Sequence, residues 1–135
     1  MSFELFIQWH DDGNRGRVPR SAVKALFPVS IAESDLERWV VRYDELNSCD
    51  IYVGSDPASI DSLTVSRPCA DERLWDALFR AMQIGSAVLF FPGCARPLAA
   101  TAGAVRHLPQ DLVAALGEPV QIDTPRAIQD AIRSA

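Results

Sequence analysis

A chain of 135 residues with 48% apolar, 8% aromatic and 23% charged residues has the composition of an ordinary globular domain, which excludes a collagenous, mucin-like or wholly disordered protein. Thirteen Lys and Arg against eighteen Asp and Glu leave a net charge of -5 and an isoelectric point near 4.9, the wrong sign for a protein whose main partner is a phosphate backbone, so no nucleic acid is expected as partner. Surface-to-mass scaling gives about 7,000 Å² exposed when folded against about 21,000 Å² extended, enough burial for one domain over 1–135 without disulfides or metals.

Phe3 to Trp9 alternates, with Phe3, Leu5, Ile7 and Trp9 on one side and Glu4, Gln8 and His10 on the other, which predicts a half-buried strand broken only by Phe6. Asp11 to Arg17 reads as an exposed loop, and Pro19 as the first turn of a short helix carrying Val23, Leu26 and Phe27 before Pro28. Leu36 to Tyr43 and Cys49 to Val53 flank polar turn residues and predict an antiparallel hairpin, with a further strand over Ile60 to Arg67. The clearest helix is Asp71 to Ile84, where Leu74, Leu78 and Met82 share a stripe and Gly85 follows. Ala87 to Phe91 reads as a strand covered on both faces, Ala95 to Val105 fits either period, and Pro109–Leu116, Pro119–Ile122 and Thr124–Arg133 read as helix, strand and helix. Thr124 is the expected N-cap of the last helix, with Pro125 at its first position. An antiparallel first half followed by strand-helix-strand crossovers predicts a single α+β domain, one mixed sheet with helices packed on it.

The first ten residues lack a basic n-region and no apolar run approaches the roughly 20 residues needed to span a bilayer, so the expectation is a cytoplasmic protein without a membrane partner. A single lysine, Lys24, among thirteen cations and abundant alanine point to a GC-rich bacterial genome. Cys49, Cys69 and Cys94 are odd in number and without C-x-x-C spacing, which fits reduced thiols rather than a disulfide framework or zinc ribbon. Phosphate-loop, dinucleotide, nucleophile-elbow and zincin strings are all missing from the sequence, so neither cofactor nor metal is expected. His10, Asp11 and Asp12 are ligand-type side chains, yet consecutive residues rarely converge on one ion. Cys69, Asp71 and Glu72 precede the strong helix, where acids already answer its dipole. Arg15, Arg17, Arg20 and Lys24 read as a solvated loop edge.

Between Glu33 and Asp61 stand eight acids (Glu33, Asp35, Glu37, Asp44, Glu45, Asp50, Asp56, Asp61) against Arg38 and Arg42, a net of -6. Tyr43 and Tyr52 lie within this segment. Tyrosine beside carboxylates supplies rigid contact area while the charges steer a cationic partner, which makes Tyr43, Asp44, Glu45, Asp50, Tyr52 and Asp56 the candidate partner-binding residues. The competing enzyme reading places a nucleophile at Cys94, in the P-G-C turn after a buried strand, with His107 as its base. A self-associating structural domain is the third reading, and the composition leaves the oligomeric state open.

The stretch from Ser62 to Gly93, with its S-R-P strand end, R-L-W-D-A-L helix and apolar strand ending in P-G, resembles small uncharacterised bacterial α+β proteins, and N-x-C-D-I-Y from Asn47 to Tyr52 is similar too. The resemblance covers about a quarter of the chain and brings no catalytic or binding residues with it. By analogy with small acidic domains of this kind, it implies a non-enzymatic immunity protein that neutralises a cationic bacterial toxin.

Overall fold

The computed structural model describes residues 3–135. The chain runs through β1 (Glu4–Asp11), β2 (Asn14–Arg15), β3 (Val18–Pro19), α1 (Arg20–Lys24), β4 (Arg38–Arg42), β5 (Ser48–Tyr52), β6 (Ser59–Ile60) and β7 (Ser62–Ser66). It continues through α2 (Glu72–Met82), β8 (Ala87–Phe90), β9 (Leu98–Ala99), α3 (Ala104–His107), α4 (Gln110–Leu116), β10 (Val120–Gln121) and α5 (Arg126–Ser134). The strands form one mixed sheet in the order β10-β9-β8-β1-β7-β5-β4, with β2 folded back on β1, and a separate small sheet of β3 and β6. This is the α+β fold expected from the sequence.

Both β7 and β8 are antiparallel to β1, so they run parallel to each other with α2 as the connection between them. The second crossover joins β9 to its parallel neighbour β10 through α3 and α4. Helix α2 starts where Asp71 accepts the N–H of Arg73 at 2.9 Å, an N-cap that satisfies a donor the helix cannot. Its stripe enters the core as the periodicity requires: Leu74, Leu78 and Met82 are fully buried, as are Leu5, Ile7, Val41, Val65 and Leu89 of the sheet.

A second, smaller cluster lies across the sheet, where Val88 and Ala99 meet Ala104 and Leu108 with Phe90, Leu112 and Val113 packed against them. Strand β8 is therefore covered on both sides, since its neighbours Ala87 and Leu89 belong to the main core. Phe6, the break in the alternation of β1, points to this second side and stacks on Phe90 with ring centroids 5.4 Å apart.

Several boundaries differ from the expected ones, each for a physical reason. Pro19 lies in β3 and precedes α1 rather than opening it. The strand expected over Ile60 to Arg67 is split at Asp61 into β6 and β7. Asp11 to Arg17 is a tight hairpin: Asp12 (φ 49) and Gly13 (φ 81) form its two-residue turn, the left-handed pair that matches the twist of the flanking strands. The ambiguous stretch resolves into β9 and the approach to α3. Pro125 stands just outside α5, and Thr124 Oγ1 accepts the N–H of Ala127 at 3.3 Å.

Arg20 overturns its assignment to a solvated edge. It is only 7% exposed, its Nε donates to the Asp56 carbonyl at 2.8 Å, Nη1 to that of Leu36 at 2.6 Å and Nη2 to that of Gly54 at 2.7 Å. The guanidinium also lies 5.8 Å from the Trp39 ring centroid. It thereby ties α1 to the loops around the hairpin, while Arg15 and Arg17 pair at the surface with Asp61 and Asp56. Among the described residues no helix is long and apolar enough to cross a membrane.

Candidate functional site

Because side chains alternate along each strand, the sheet's second side can be read row by row from the pairing register. One row crosses five strands as Arg38, Tyr52, Thr64, Phe6 and Phe90. The next consists of Val40, Asp50, Ser66 and Glu4. Helices α3 and α4 pack over the β8–β9 end of this side, whereas Glu4, Phe6 and Gln8 of β1 and the side chains of β7 and β5 there stay half-buried or exposed, Tyr52 at 45%. The uncovered half mixes aromatic area with hydroxyls and charges, and Arg38 Nε stands 3.7 Å from Asp50.

The six candidate contact residues do not all share that surface. Asp50 and Tyr52 lie on it together. Tyr43, by the alternation of β4, turns to the core side, where it packs against the main cluster. The Arg73 guanidinium sits 5.1 Å from its ring centroid, and its buried hydroxyl has no partner among the described residues, with burial raising its pKa above the ordinary phenol range.

Asp44 and Glu45 form the β4–β5 turn, and Asp56 lies beyond the other end of β5, about 17 Å away at 3.3 Å per strand residue. Asp44 and Asp56 both hold backbone turns. Asp44 Oδ1 accepts from the N–H groups of Leu46 and Asn47, each at 2.9 Å, and Asp56 Oδ1 from Ala58 at 2.8 Å. Hydrogen bonds, from the Asn47 side chain at Asp44 and from the Ala58 N–H at Asp56, lower both carboxyl pKa values. These turn-forming roles are signalled in sequence by D-x-x-N and D-x-x-S spacings, in which an aspartate can cap its own turn.

The structure does not bring Cys94 and His107 together. Cys94 follows β8 at the start of β1, near the Phe3–Phe91 ring pair. His107 lies at the far end of β1, where its Nδ1 accepts the Asp12 N–H at 3.0 Å and its carbonyl accepts that of Gly13. From Phe6 to Asp12 the strand covers about 20 Å. The Cys94 thiol instead donates to the Arg96 carbonyl at 2.8 Å and lines a cleft of about 350 Å³ with Phe91, Leu98, Ile122 and Ala131.

His10 is 6% exposed, and neither ring nitrogen has a partner among the described residues. Burial, and then the Arg15 charge, lower its pKa below the usual imidazole value. Asp11 reaches His107 at 3.6 Å. Among the described residues no three His, Cys, Asp or Glu side chains converge as metal ligands would. At the head of α2, Asp71 is spent on the cap and on a two-pronged pair with Arg73, whose hydrogen bonds pull its carboxyl down to about 2. Compared with known protein families, curated proteins and solved structures, the chain finds no match in any of the three.

Proposed function

We propose that this chain is a non-enzymatic protein-binding domain that docks a cationic protein partner on the uncovered half of the sheet's second side. The observation that carries the reading is the row Arg38, Tyr52, Thr64 and Phe6, partly exposed across four adjacent strands beside Asp50. A flat surface of rigid aromatic and hydroxyl groups suits a protein better than a small substrate. The excess of acids on the hairpin segment raises the encounter rate with a basic partner without requiring each carboxylate to touch it. Within this reading the partner is a bacterial toxin. An acidic immunity domain would neutralise it by occupying the surface that meets its anionic substrate.

The test is capture of the partner from the source organism, followed by binding kinetics of the purified pair. Tyr52→Ala with Asp50→Lys should weaken binding at least about thirtyfold, the cost of losing a central aromatic contact. Salt should slow association of the unmodified protein. Asp56→Lys is the poorer probe, because it also releases the turn at Ala58. Unchanged affinity in the Tyr52/Asp50 variant rules out this face as the contact surface.

A further inference from the structure

Three segments distant in sequence meet at one corner of the core: the end of β4 with Tyr43, the start of β5 with Cys49, and the lead into α2 with Cys69. The sheet register explains the meeting. Asp50 pairs with Ser66, after which Arg67 takes a left-handed backbone (φ 53) with its N–H on the Phe3 carbonyl. The chain thus leaves the ladder and folds Pro68 and Cys69 over the core side, where Cys49 points. There Cys69, two residues beyond the position that faces Cys49 in the register, packs against the core cluster that holds the buried Cys49, and Tyr43 packs against the same cluster. Cys49 is buried, while Cys69 lines an open cleft of about 270 Å³ with Phe3, Pro68, Ala70, Trp75 and Ile132.

From this geometry we infer that Cys49 and Cys69 form a redox-active dithiol, a modification site closed by exchange with a low-molecular-weight disulfide of the glutathione class. Cys69, reached through the cleft, loses its proton to solvent and its thiolate attacks one sulfur of the small disulfide. The S–S bond of the reagent breaks, a Cys69 mixed disulfide forms, and one small thiolate leaves and takes up a proton. Cys49 then gives up its proton and attacks the Cys69 sulfur from inside the core, expelling the second small thiol. Two protein thiols are oxidised and one small disulfide is reduced to two thiols. Cys94, which follows β8 and lines a different cleft with Phe91 and Ala131, takes no part.

The order of steps follows from the surroundings of the two sulfurs. Burial pushes the Cys49 thiol up to about 12, so its thiolate is scarce near neutrality and the second step is slow. Closure should therefore speed up about tenfold for each unit of pH across the neutral range. The resulting link would fasten the start of β5 to the entrance of α2.

The test is incubation of the full chain with oxidised glutathione, quenching by alkylation, and peptide mapping by mass spectrometry. One crosslinked peptide pair joining Cys49 to Cys69 is expected, with Cys94 outside it and a raised melting temperature on closure. Cys49→Ser should arrest the reaction with glutathione held on Cys69, and Cys69→Ser should leave Cys49 unreacted. Three results overturn the inference: Cys49 and Cys69 both stay fully alkylated, glutathione stays on Cys69 without transfer, or crosslinks pair Cys94 as often as the others. The decisive map uses the unsubstituted protein, so it holds even if Cys49→Ser fails to fold.

Discussion

The two sides of the central sheet are built from the same strands yet solve different problems. On one side Leu5, Ile7, Val41, Ile51, Val65 and Leu89 are sealed by α2 without residual exposure. On the other, Glu4, Phe6, Gln8, Thr64 and Ser66 alternate with them residue by residue and stay half open, except where α3 and α4 cover β8 and β9. Stability is thus concentrated on one face, which leaves the composition of the other free to serve recognition.

The largest expected effect that would break this comparison is on the sealed side. Leu78→Ala should cost about 2 to 5 kcal/mol in a denaturant melt, the range for a core leucine; a loss near zero would mean that α2 is rotated on the sheet. Next comes Arg20→Ala, which strands the carbonyls of Leu36, Gly54 and Asp56 and should cost about 3 kcal/mol. Hydrogen exchange should then accelerate around the hairpin ends.

A third test uses pH and the second side of the sheet. The folded chain holds His10 below its ordinary 6.5, so between the two values the unfolded chain binds the proton more readily. Stability is full above 6.5 and declines as the pH falls toward the folded value. The urea midpoint should be lower at about pH 5.5 than at about pH 7.5, and His10→Gln should narrow the gap. Equal midpoints in the unsubstituted protein would contradict a buried neutral ring. The smallest effects belong to positions outside the core: exposed Arg80→Ala and half-buried Thr64→Ala should each change stability by less than about 0.5 kcal/mol.

Where a single period governed a segment, the fold was legible from residues alone. The alternation in β1, the stripe of α2 and the doubly apolar β8 each state which side must be buried. What escaped was set by pairings between distant segments. Nothing local marks Arg20 as buried, because its carbonyl partners come 16 to 36 residues later. The Asp12-Gly13 dipeptide did carry a hairpin signal, masked by the polarity of its neighbours. Within the candidate surface, Tyr52 and Asp50 share a face because they are two residues apart on one strand. The separation of Tyr43 from them follows from the alternation of β4, whereas that of Cys94 from His107 depends on strand order and on which end of β1 each element reaches.

The borders of the sheet carry a consequence of their own. Beside β4, the backbone of Pro28 to Ser30 already occupies the outer hydrogen-bonding groups: Val29 bridges Val41, the Ser30 N–H donates to Val40 and the Arg42 N–H to Pro28. At the opposite border β10 is two residues long and follows Pro119. Neither border offers the long run of unsatisfied amides that lets one chain extend another by strand addition. Fibrous growth and domain exchange through main-chain pairing are thereby discouraged. Any ligand of the broad face must instead be distinguished by side-chain shape and chemistry, so point changes there can redirect selectivity while leaving the scaffold intact.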